Sequence, residues 1–475
     1  MGIGRRIGDT VRLPGRRARR SLIVLVVVAV AGASGGAVAL TGPTLVQRLG
    51  LVRAAETAQA PPEPQAVLGP LPADAPLPTT AGLTGALNVA AEAMPGTFTG
   101  IVVDPATGKA LWERTPEVAL VPGSTGKLLT ASAALLTLNP TDTFVTRVVQ
   151  GPEPGTVVLV GGGDPTLTTL PEGQNSVYPD APRLSDLAAA VRKVAPGPIT
   201  RVLVDTSRYR GPTMAEGWDP ADVAGGNITP IEPLMVDGGR INPKLEDGPR
   251  VPDPALAAGR ALAQDLGAGP SGVAEGAATS GAKVLGSVRS APVAELIEQM
   301  LRDSDNVLAE IFSREVAIAR DGDPTFTGGV QQTVAALAQA GFDPSGAVMH
   351  DGSGLSTEDR VPARLLGQLL GAAAAPAEKP GDTEFLRPIV SGLPVAGGDG
   401  TLQDRFPRGA TSGPGRGFVR AKTGTLTGVS SLAGIVTDVD GRLLVFALMS
   451  NGGSPATIRP KLDAMAAQLS RCGCR

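Results

Sequence analysis

Apolar and polar positions divide the chain into stretches of different texture. Ser21 to Leu40 ("SLIVLVVVAVAGASGGAVAL") is uncharged and mostly apolar, behind the basic run "RRARR". That length and flank predict a segment crossing a membrane with its N-terminus in the cytoplasm. The apolar part of a cleaved signal peptide is the alternative, because small-residue sites such as Ala37-Val38-Ala39 are present. Either way the body of the chain is expected to be exported. The following stretch, up to Thr80, is rich in Pro and Ala and reads as a semi-extended spacer.

Globular patterning begins near Ala81. In "GTFTGIVVDPATGKALWERTP" two β-rich runs flank a turn-forming "DPATG", which predicts a hairpin. A helix starting at Ser124 carries Leu128, Leu129, Ala131, Ala134 and Leu135. Being apolar on most sides, it is expected to be central and buried. From Val145 to Val284 the pattern turns to short β-like runs ("TVVLVGGG", "ITRVLVD") among Gly/Pro turns, interrupted by the helical "RLSDLAAAVRKV". That predicts an inserted, β-rich domain. Helical periodicity returns at Ala291 to Ala317. "GFVRAKTGTLTGVSSLAGIVTDVDGRLLVFALMSN" predicts three strands with turns near Thr427 and at Asp438 to Gly441, and "TIRPKLDAMAAQLSR" predicts an amphipathic helix. The expected organisation is a basic segment 1–20, an apolar segment 21–41, a spacer 42–80, a first main-domain part 81–144, an insertion 145–284 and a second main-domain part 285–475. The fold class is α+β, an antiparallel sheet flanked by helices and split by the insertion.

Composition sharpens this picture only in places. Hydrophobic residues make up 42% but aromatics only 3%, beside 63 Gly and 43 Pro, so cores of Ala, Val and Leu with many turns are expected. Neither a disordered nor a fibrous chain looks like this. The net charge is −3, yet seven Arg sit in the first twenty residues, which leaves an acidic body without a footprint for nucleic acid. Cys472 and Cys474, the two cysteines, stand in the terminal "RCGCR". They can close a tight disulfide or join two chains, they are too few for a zinc site, and the simplest reading is a dispensable exposed tail.

Candidate chemistry starts from a shortage. The chain has one histidine, His350, so a serine nucleophile needs another base. Ser124 and Lys127 are spaced i, i+3 at a helix start, on one face and in the positive field of the helix N-terminus. A lysine can serve as base only if burial or a nearby cation lowers its pKa from about 10.4. The chain holds 34 Arg and eight Lys, so lysines in motif positions stand out. "SGAK", Ser280 to Lys283, repeats the spacing but leads into a strand-like run and is set aside as chance. "SDN", Ser304 to Asn306, offers a hydroxyl to relay a proton and an amide to bind a carbonyl. "KTGT", Lys422 to Thr425, lies in a strand where bare Gly424 would let a peptide pair with the backbone, and Lys422 would depress the pKa of Lys127. His350 and Asp164 ("GGGDP") read as turn residues. Taken singly, each motif is more often structural.

Taken in order, Ser-x-x-Lys, Ser-x-Asn and Lys-Thr-Gly are the set of the active-site serine penicillin-recognising enzymes. With "LVGGGDPTL", "HDGSGLS" and "VRAKTGTLTGVSSLAG", and with 180 positions between Ser124 and Ser304, the chain from about Ala81 to Gln468 resembles the low-molecular-mass class C penicillin-binding proteins, the D-alanyl-D-alanine carboxypeptidase/endopeptidase family. The resemblance implies a serine transpeptidase/β-lactamase-like domain that cleaves peptidoglycan stem peptides through an acyl-serine and is trapped by β-lactams. It implies Ser124 as nucleophile, Lys127 as base, Ser304 and Asn306 as proton shuttle and positioner, and Lys422 and Thr423 as carboxylate holders. Gly424 and Thr425 complete the substrate strand, with the Ser124 and Thr425 N–H groups as oxyanion hole. No metal or organic cofactor is called for. The sequence departs from the family at Gly123, Gly126 and Thr357, where Arg360 is the substitute considered for a missing arginine. A β-lactamase or esterase on the same scaffold, and a catalytically weak wall-peptide-binding module, are the alternative functions.

Overall fold

The computed structural model describes residues 72, 74–376 and 383–475. The expected basic segment, the apolar segment and most of the spacer lie outside the described residues. Among the described residues no helix is long and apolar enough to cross a membrane.

Helix α1 (Thr80–Glu92) is started by Thr79, whose hydroxyl accepts from the Gly82 N–H at 3.0 Å, so Thr80, the last residue expected in the spacer, is already helical. Its Leu83, Leu87 and Ala91 recur every fourth residue and are buried. Strands β1 (Thr97–Asp104) and β2 (Lys109–Arg114) form the anticipated hairpin. The turn is held by Asp104, which accepts from Ala106 N and Thr107 Oγ1. Helix α2 (Lys127–Thr137) is buried from Lys127 to Leu135.

The insertion supplies β3 (Val145–Gln150), β4 (Thr156–Val160), α3 (Leu184–Val194), β5 (Arg201–Asp205), α4 (Pro254–Leu266), β6 (Val273–Glu275) and β7 (Val284–Arg289). Its sheet runs β6-β5-β4-β3-β7. The β4–β5 and β5–β6 pairs are parallel, and the others antiparallel. Helices α3 and α4 share one core with this sheet, including Leu187, Leu262, Val157 and Val202. The unit is therefore mixed α/β rather than β-rich. Helix α4 escapes sequence reading because its inward positions are mostly Ala, which contrasts little with its polar side. Because β7 pairs with β3, the unit extends to Arg289, past the expected boundary at Val284. Its long loops leave the sheet, and Tyr209, Trp218, Ile228 and Met235 sink into the core of the main domain.

That core is built by α2, α5 (Val293–Arg302), α6 (Asn306–Ala319), α7 (Phe326–Gln339) and α8 (Ala363–Ala374). Strands β8 (Val419–Leu426), β9 (Val429–Thr437) and β10 (Leu443–Asn451) then join the first hairpin in an antiparallel sheet ordered β8-β9-β10-β1-β2. Alternate residues of β10 serve two cores. Val445 and Ala447 face the helical core, while Phe446 and Leu448 face α1 and the last helix, α9 (Pro455–Ser470). Covering on both faces explains why β9 and β10 read as continuous apolar runs rather than alternating ones.

The C-terminal residues are not an exposed tail. Cys472 is disulfide-bonded to Cys474 and buried. The Cys474 carbonyl accepts from Thr79 N at 2.7 Å and from its hydroxyl at 3.2 Å. A Cβ on Gly82 would stand 2.4 Å from the same carbonyl, so α1 starts pressed against this end. Deleting residues 471–475 is expected to cost roughly 2 kcal/mol of stability, from one buried side chain and two hydrogen bonds. Thermal unfolding of the truncated protein checks this, and an unchanged Tm would return these residues to the status of an accessory tail.

Candidate active site

The three motifs come from different elements and meet beside the free edge of β8. Ser124 lies in a 3-10 turn, Gly123–Gly126, that feeds α2, and Lys127 begins that helix. Ser124 therefore precedes the α-helix instead of capping it. Lys127 Nζ donates to Ser124 Oγ at 3.0 Å and to the Ser353 carbonyl at 2.8 Å, and also to Asn306 Oδ1. Asn306 is the first residue of α6. Its Nδ2 donates to the Asn227 carbonyl at 2.8 Å, which turns its oxygen toward Lys127.

Ser304 sits between α5 and α6 with φ 61°, a left-handed conformation that costs a β-substituted residue. Its Oγ accepts from Lys422 Nζ at 2.8 Å, and Lys422 also donates to the Thr423 carbonyl at 3.1 Å. The Thr423 hydroxyl bonds that of Thr401 at 2.9 Å. Thr425 is exposed at the cleft. All eight residues expected from the sequence are thus found within one contiguous arrangement.

Burial sets the electrostatics. Lys127 is fully buried, and this lowers its pKa to about 8 against the opposing pull of Asp351, Glu310, Asp305 and Asp359. Lys422 is pushed well below its ordinary value, first by burial and then by the Lys127 charge. Burial is thus the first cause for both lysines, and the repulsion between their charges, which is mutual, disfavours holding both protonated.

Gly424 also has a packing role. A Cβ there would stand 2.4 Å from the Pro122 carbonyl and 3.1 Å from the Ser124 nitrogen, and would collide with Ser431 Oγ. Glycine is required because the nucleophile turn lies directly against the strand. Gly123, at φ 52°, answers from the other side, its Cβ position 3.1 Å from the Thr425 nitrogen. The turn is held in place by the Asn451 side chain, which accepts from Val121 N at 2.8 Å and donates to its carbonyl. The outer edge of β8 is covered at first, since Ala421 N bonds the Pro394 carbonyl and the Val419 carbonyl accepts from Ala396 N. Alternation along a strand directs the same edge groups of Thr423 and Thr425 into the open cleft. The Ser124 turn packs against this part of the strand, with the Thr425 nitrogen close to Gly123 and the Ser124 nitrogen close to Gly424.

Several residues at the site carried no recognisable signal. In the 351–356 loop, Asp351 accepts from the backbone N–H groups of Ser353, Gly354 and Ser356, and from Trp218 Nε1 at 2.7 Å. This is how the Ser353 carbonyl comes to point at Lys127. Arg240 Nη1 donates to the Tyr178 hydroxyl at 2.8 Å, which donates to Asp305 Oδ2 at 2.9 Å, and Arg240 Nη2 reaches the same oxygen at 3.3 Å. Burial pushes the Asp305 carboxyl up, but the Arg240 and Arg250 charges, the Leu308 N–H and Tyr178 outweigh it and hold it below the usual range. The other oxygen of Asp305 caps α6 through Leu308 N. The "SDN" turn is thus gripped by the inserted unit. "HDGSGLS" was a visible phrase, whereas Tyr178, Trp218, Asn227 and Arg240 belong to no motif.

Other sequence expectations fall away from the chemistry. His350 pairs with Glu216 at 3.4 Å, and Ser280 and Lys283 border no part of the cleft. Asp164 is buried and accepts from Thr166 within its own turn. Arg360 is occupied by the carbonyls of Thr357 and Asp359. The cleft itself measures about 820 Å³ and is walled by residues of the insertion, Gly217 to Arg250, opposite Thr401 and Thr425. Among the described residues no cluster of His, Cys, Asp or Glu could hold a metal ion.

The arrangement has relatives. The model of the D-Ala-D-Ala carboxypeptidase 3 (S13) family matches residues 86–250 and 246–472. A carboxypeptidase of Mycobacterium tuberculosis is 46% identical over 426 residues, 89% of this chain and 91% of its own. Carboxypeptidase DacB of Mycolicibacterium smegmatis is 46% identical over 422 residues, covering 87% and 90%. The solved structure of penicillin-binding protein 4 from Haemophilus influenzae superposes with a TM-score of 0.65 at 21% identity, over 83% of this chain and all of that one, and shows the shared fold.

Removing the hydroxyl that bridges Arg240 and Asp305 tests the grip of the insertion. Tyr178→Phe is expected to slow acylation by a β-lactam about ten- to a hundredfold, since a hydrogen bond to a charged group is worth about 1.5–3 kcal/mol. Stopped-flow acylation of the variant beside its Tm separates loss of position from loss of fold. An unaltered acylation rate would show that α6 holds the turn unaided.

Proposed function

This chain belongs to the D-Ala-D-Ala carboxypeptidase 3 (S13) family, and on that premise we propose how its residues perform the reaction of a serine-type D-Ala-D-Ala carboxypeptidase acting on peptidoglycan. The observation that carries the reading is Lys127, buried, bonded to Ser124 Oγ at 3.0 Å and titrating at about 8.

Lys127 in its neutral form takes the Ser124 proton, and Ser124 Oγ attacks the carbonyl carbon of the penultimate D-alanine. The Ser124 and Thr425 N–H groups receive the negative charge that develops on the carbonyl oxygen, a contribution of about 3 kcal/mol per donor in such sites. The C–N bond then breaks. The proton that Lys127 took from Ser124 is relayed through Ser304, which Lys422 holds, to the leaving amine, so Lys127 is neutral again as D-alanine departs. Water attacks the acyl-serine with Lys127 again accepting the proton, and as the ester bond to Oγ breaks Lys127 hands that proton to Ser124, which releases the shortened peptide and restores the enzyme. Asn306 and the open edge at Thr423 and Thr425 position the peptide. A β-lactam would enter the same first step and stop at the ester.

The N-terminal apolar segment, residues 21–41, we propose as a membrane anchor that holds the enzyme at the outer face of the membrane. Its length and basic flank support this. Retention of the full chain in washed membranes, with an intact N-terminus by mass spectrometry, is the expected result. A soluble product trimmed near Ala39 would show a cleaved signal instead.

Intact mass after exposure to penicillin is expected to show one adduct per chain, kept in Ser280→Ala and lost in Ser124→Ala. A folded parent that takes no label would sink the acyl-serine reading and favour a wall-peptide-binding module. The pH dependence follows from Lys127. With a pKa of about 8, about a tenth is neutral at pH 7. The acylation rate should therefore rise from pH 6 and level off above about 8.5. A rate that falls across this range would remove Lys127 as the base.

A further inference from the structure

The mechanism above leaves Glu310, a fully buried acid, without a part. It lies on α6 four residues after Asn306, on the same face and one turn further on. Asn306 Oδ1 accepts from Lys127, while Glu310 borders no part of the cleft, so it stands on the closed side of the base. Across from it, Lys127 and Thr130 share a face of α2, and Gly352 and Ser353 run between the two helices. The Gly352 N–H donates to Glu310 Oε2 at 2.9 Å, and the Gly352 carbonyl accepts from Thr130 Oγ1 at 2.6 Å. The Ser353 carbonyl accepts from Lys127 Nζ at 2.8 Å. A Cβ on Gly352 would stand 2.8 Å from the Ala309 carbonyl, so the loop lies directly on α6. Two residues of backbone thus connect the carboxyl to the base.

The other oxygen, Glu310 Oε1, is buried and has no hydrogen-bond partner among the described residues. In a dry site such an oxygen is costly unless it carries a proton or faces a positive charge. Burial and the Asp351 charge push this carboxyl up, and the Lys127 charge pulls it back. Arg314, one turn along α6, also feels Glu310, but its guanidinium is occupied by the carbonyls of Arg210, Pro212 and Pro324. The other charged groups facing Lys127 have work elsewhere. Asp351 orders its loop through three N–H groups and Trp218, and Asp305 is held by Arg240, Tyr178 and Leu308. Asp359 accepts from His350 N at 2.7 Å and lies against Asp351, and Lys422 donates to Ser304 and Thr423.

We propose that Glu310 is a positioning residue of the reaction, whose carboxyl stabilises the ammonium that Lys127 becomes on taking the Ser124 proton. This rests on the reading of Lys127 as the base. The step moves no proton to or from Glu310, because the charge that appears on Nζ meets the orphaned oxygen through space. Without such a group, dry surroundings alone would leave the amine too weak to take a proton from serine.

The test is the pH profile of β-lactam acylation in the parent and two variants. Glu310→Gln keeps an oxygen for the Gly352 N–H and removes the charge, and Glu310→Met keeps the approximate volume and removes both oxygens. With less negative potential behind it, Lys127 loses its proton more readily. The rising limb should therefore move to lower pH, by about one pH unit for Glu310→Gln and in the same direction for Glu310→Met. A residue that only props the loop would lower the rate at every pH and leave the midpoint in place. An unmoved midpoint in either variant that folds, as judged by Tm, overturns the proposal. Should neither fold, the parent decides, isotope-labelled at its glutamate carboxyl carbons. One glutamate resonance should then move in step with the acylation midpoint, well above the range where exposed glutamates titrate, and a spectrum in which none responds there overturns the proposal. If acylation of the folded parent does not rise with pH at all, it is the reading of Lys127 as base that fails.

Discussion

An amine can accept a proton from serine only if the protein first denies it the water that would keep it charged. The dryness around Lys127 is the constraint on which the remaining architecture rests. Its ammonium is enclosed by α2, by the start of α6 and by the 351–356 loop, and every donor position on Nζ is matched by Ser124, Asn306 or the Ser353 carbonyl. Burial lowers the pKa, while four acidic residues oppose that shift and keep it moderate. Two of them are themselves altered by the same dryness. Burial and the Asp351 charge raise Glu310 and Asp359 far above the ordinary carboxylate range, so their share in that opposition is weakened near neutral pH. The balance is between desolvation and charge, and neither alone would leave Lys127 usable near neutrality.

The inserted unit takes part in that enclosure. Asn227 orients Asn306, Trp218 steadies Asp351, and the Arg240–Tyr178 pair holds Asp305. Each contact reaches a residue that touches Lys127, orders the loop whose Ser353 carbonyl meets it, or orders the turn carrying Ser304. The left-handed Ser304 persists because Asp305 is fixed from two sides, by the α6 backbone and by the insertion. The insertion therefore shapes the chemistry as well as one wall of the cleft.

What could be read from the sequence follows a physical division. The hairpin at "DPATG", the apolar helix after Ser124 and the three C-terminal strands announced themselves because their patterns are local. The motif lysines stood out against a background of arginine. Helix α4 did not, because alanine gives a weak contrast between faces. The packing demand on Gly424 was hidden for a different reason: a bare strand position looks the same in sequence whether or not a neighbouring loop fills the space. Tyr178, Trp218, Asn227 and Arg240 were invisible because their importance lies in partners 62 to 133 residues away. No window along the chain contains that information.

The tie between Val121 and the side chain of Asn451 spans 330 residues. Strand β1, near the front of the described chain, pairs with β10 near its end. A polypeptide made from its N-terminus thus carries Ser124 past the ribosome long before the strands that flank it exist. Through most of its synthesis the nucleophile turn has no wall behind it and no N–H of Thr425 beside it. Reactivity arrives late and all at once, when the last hairpin docks, so an incomplete chain has nothing with which to attack a peptide or capture a β-lactam.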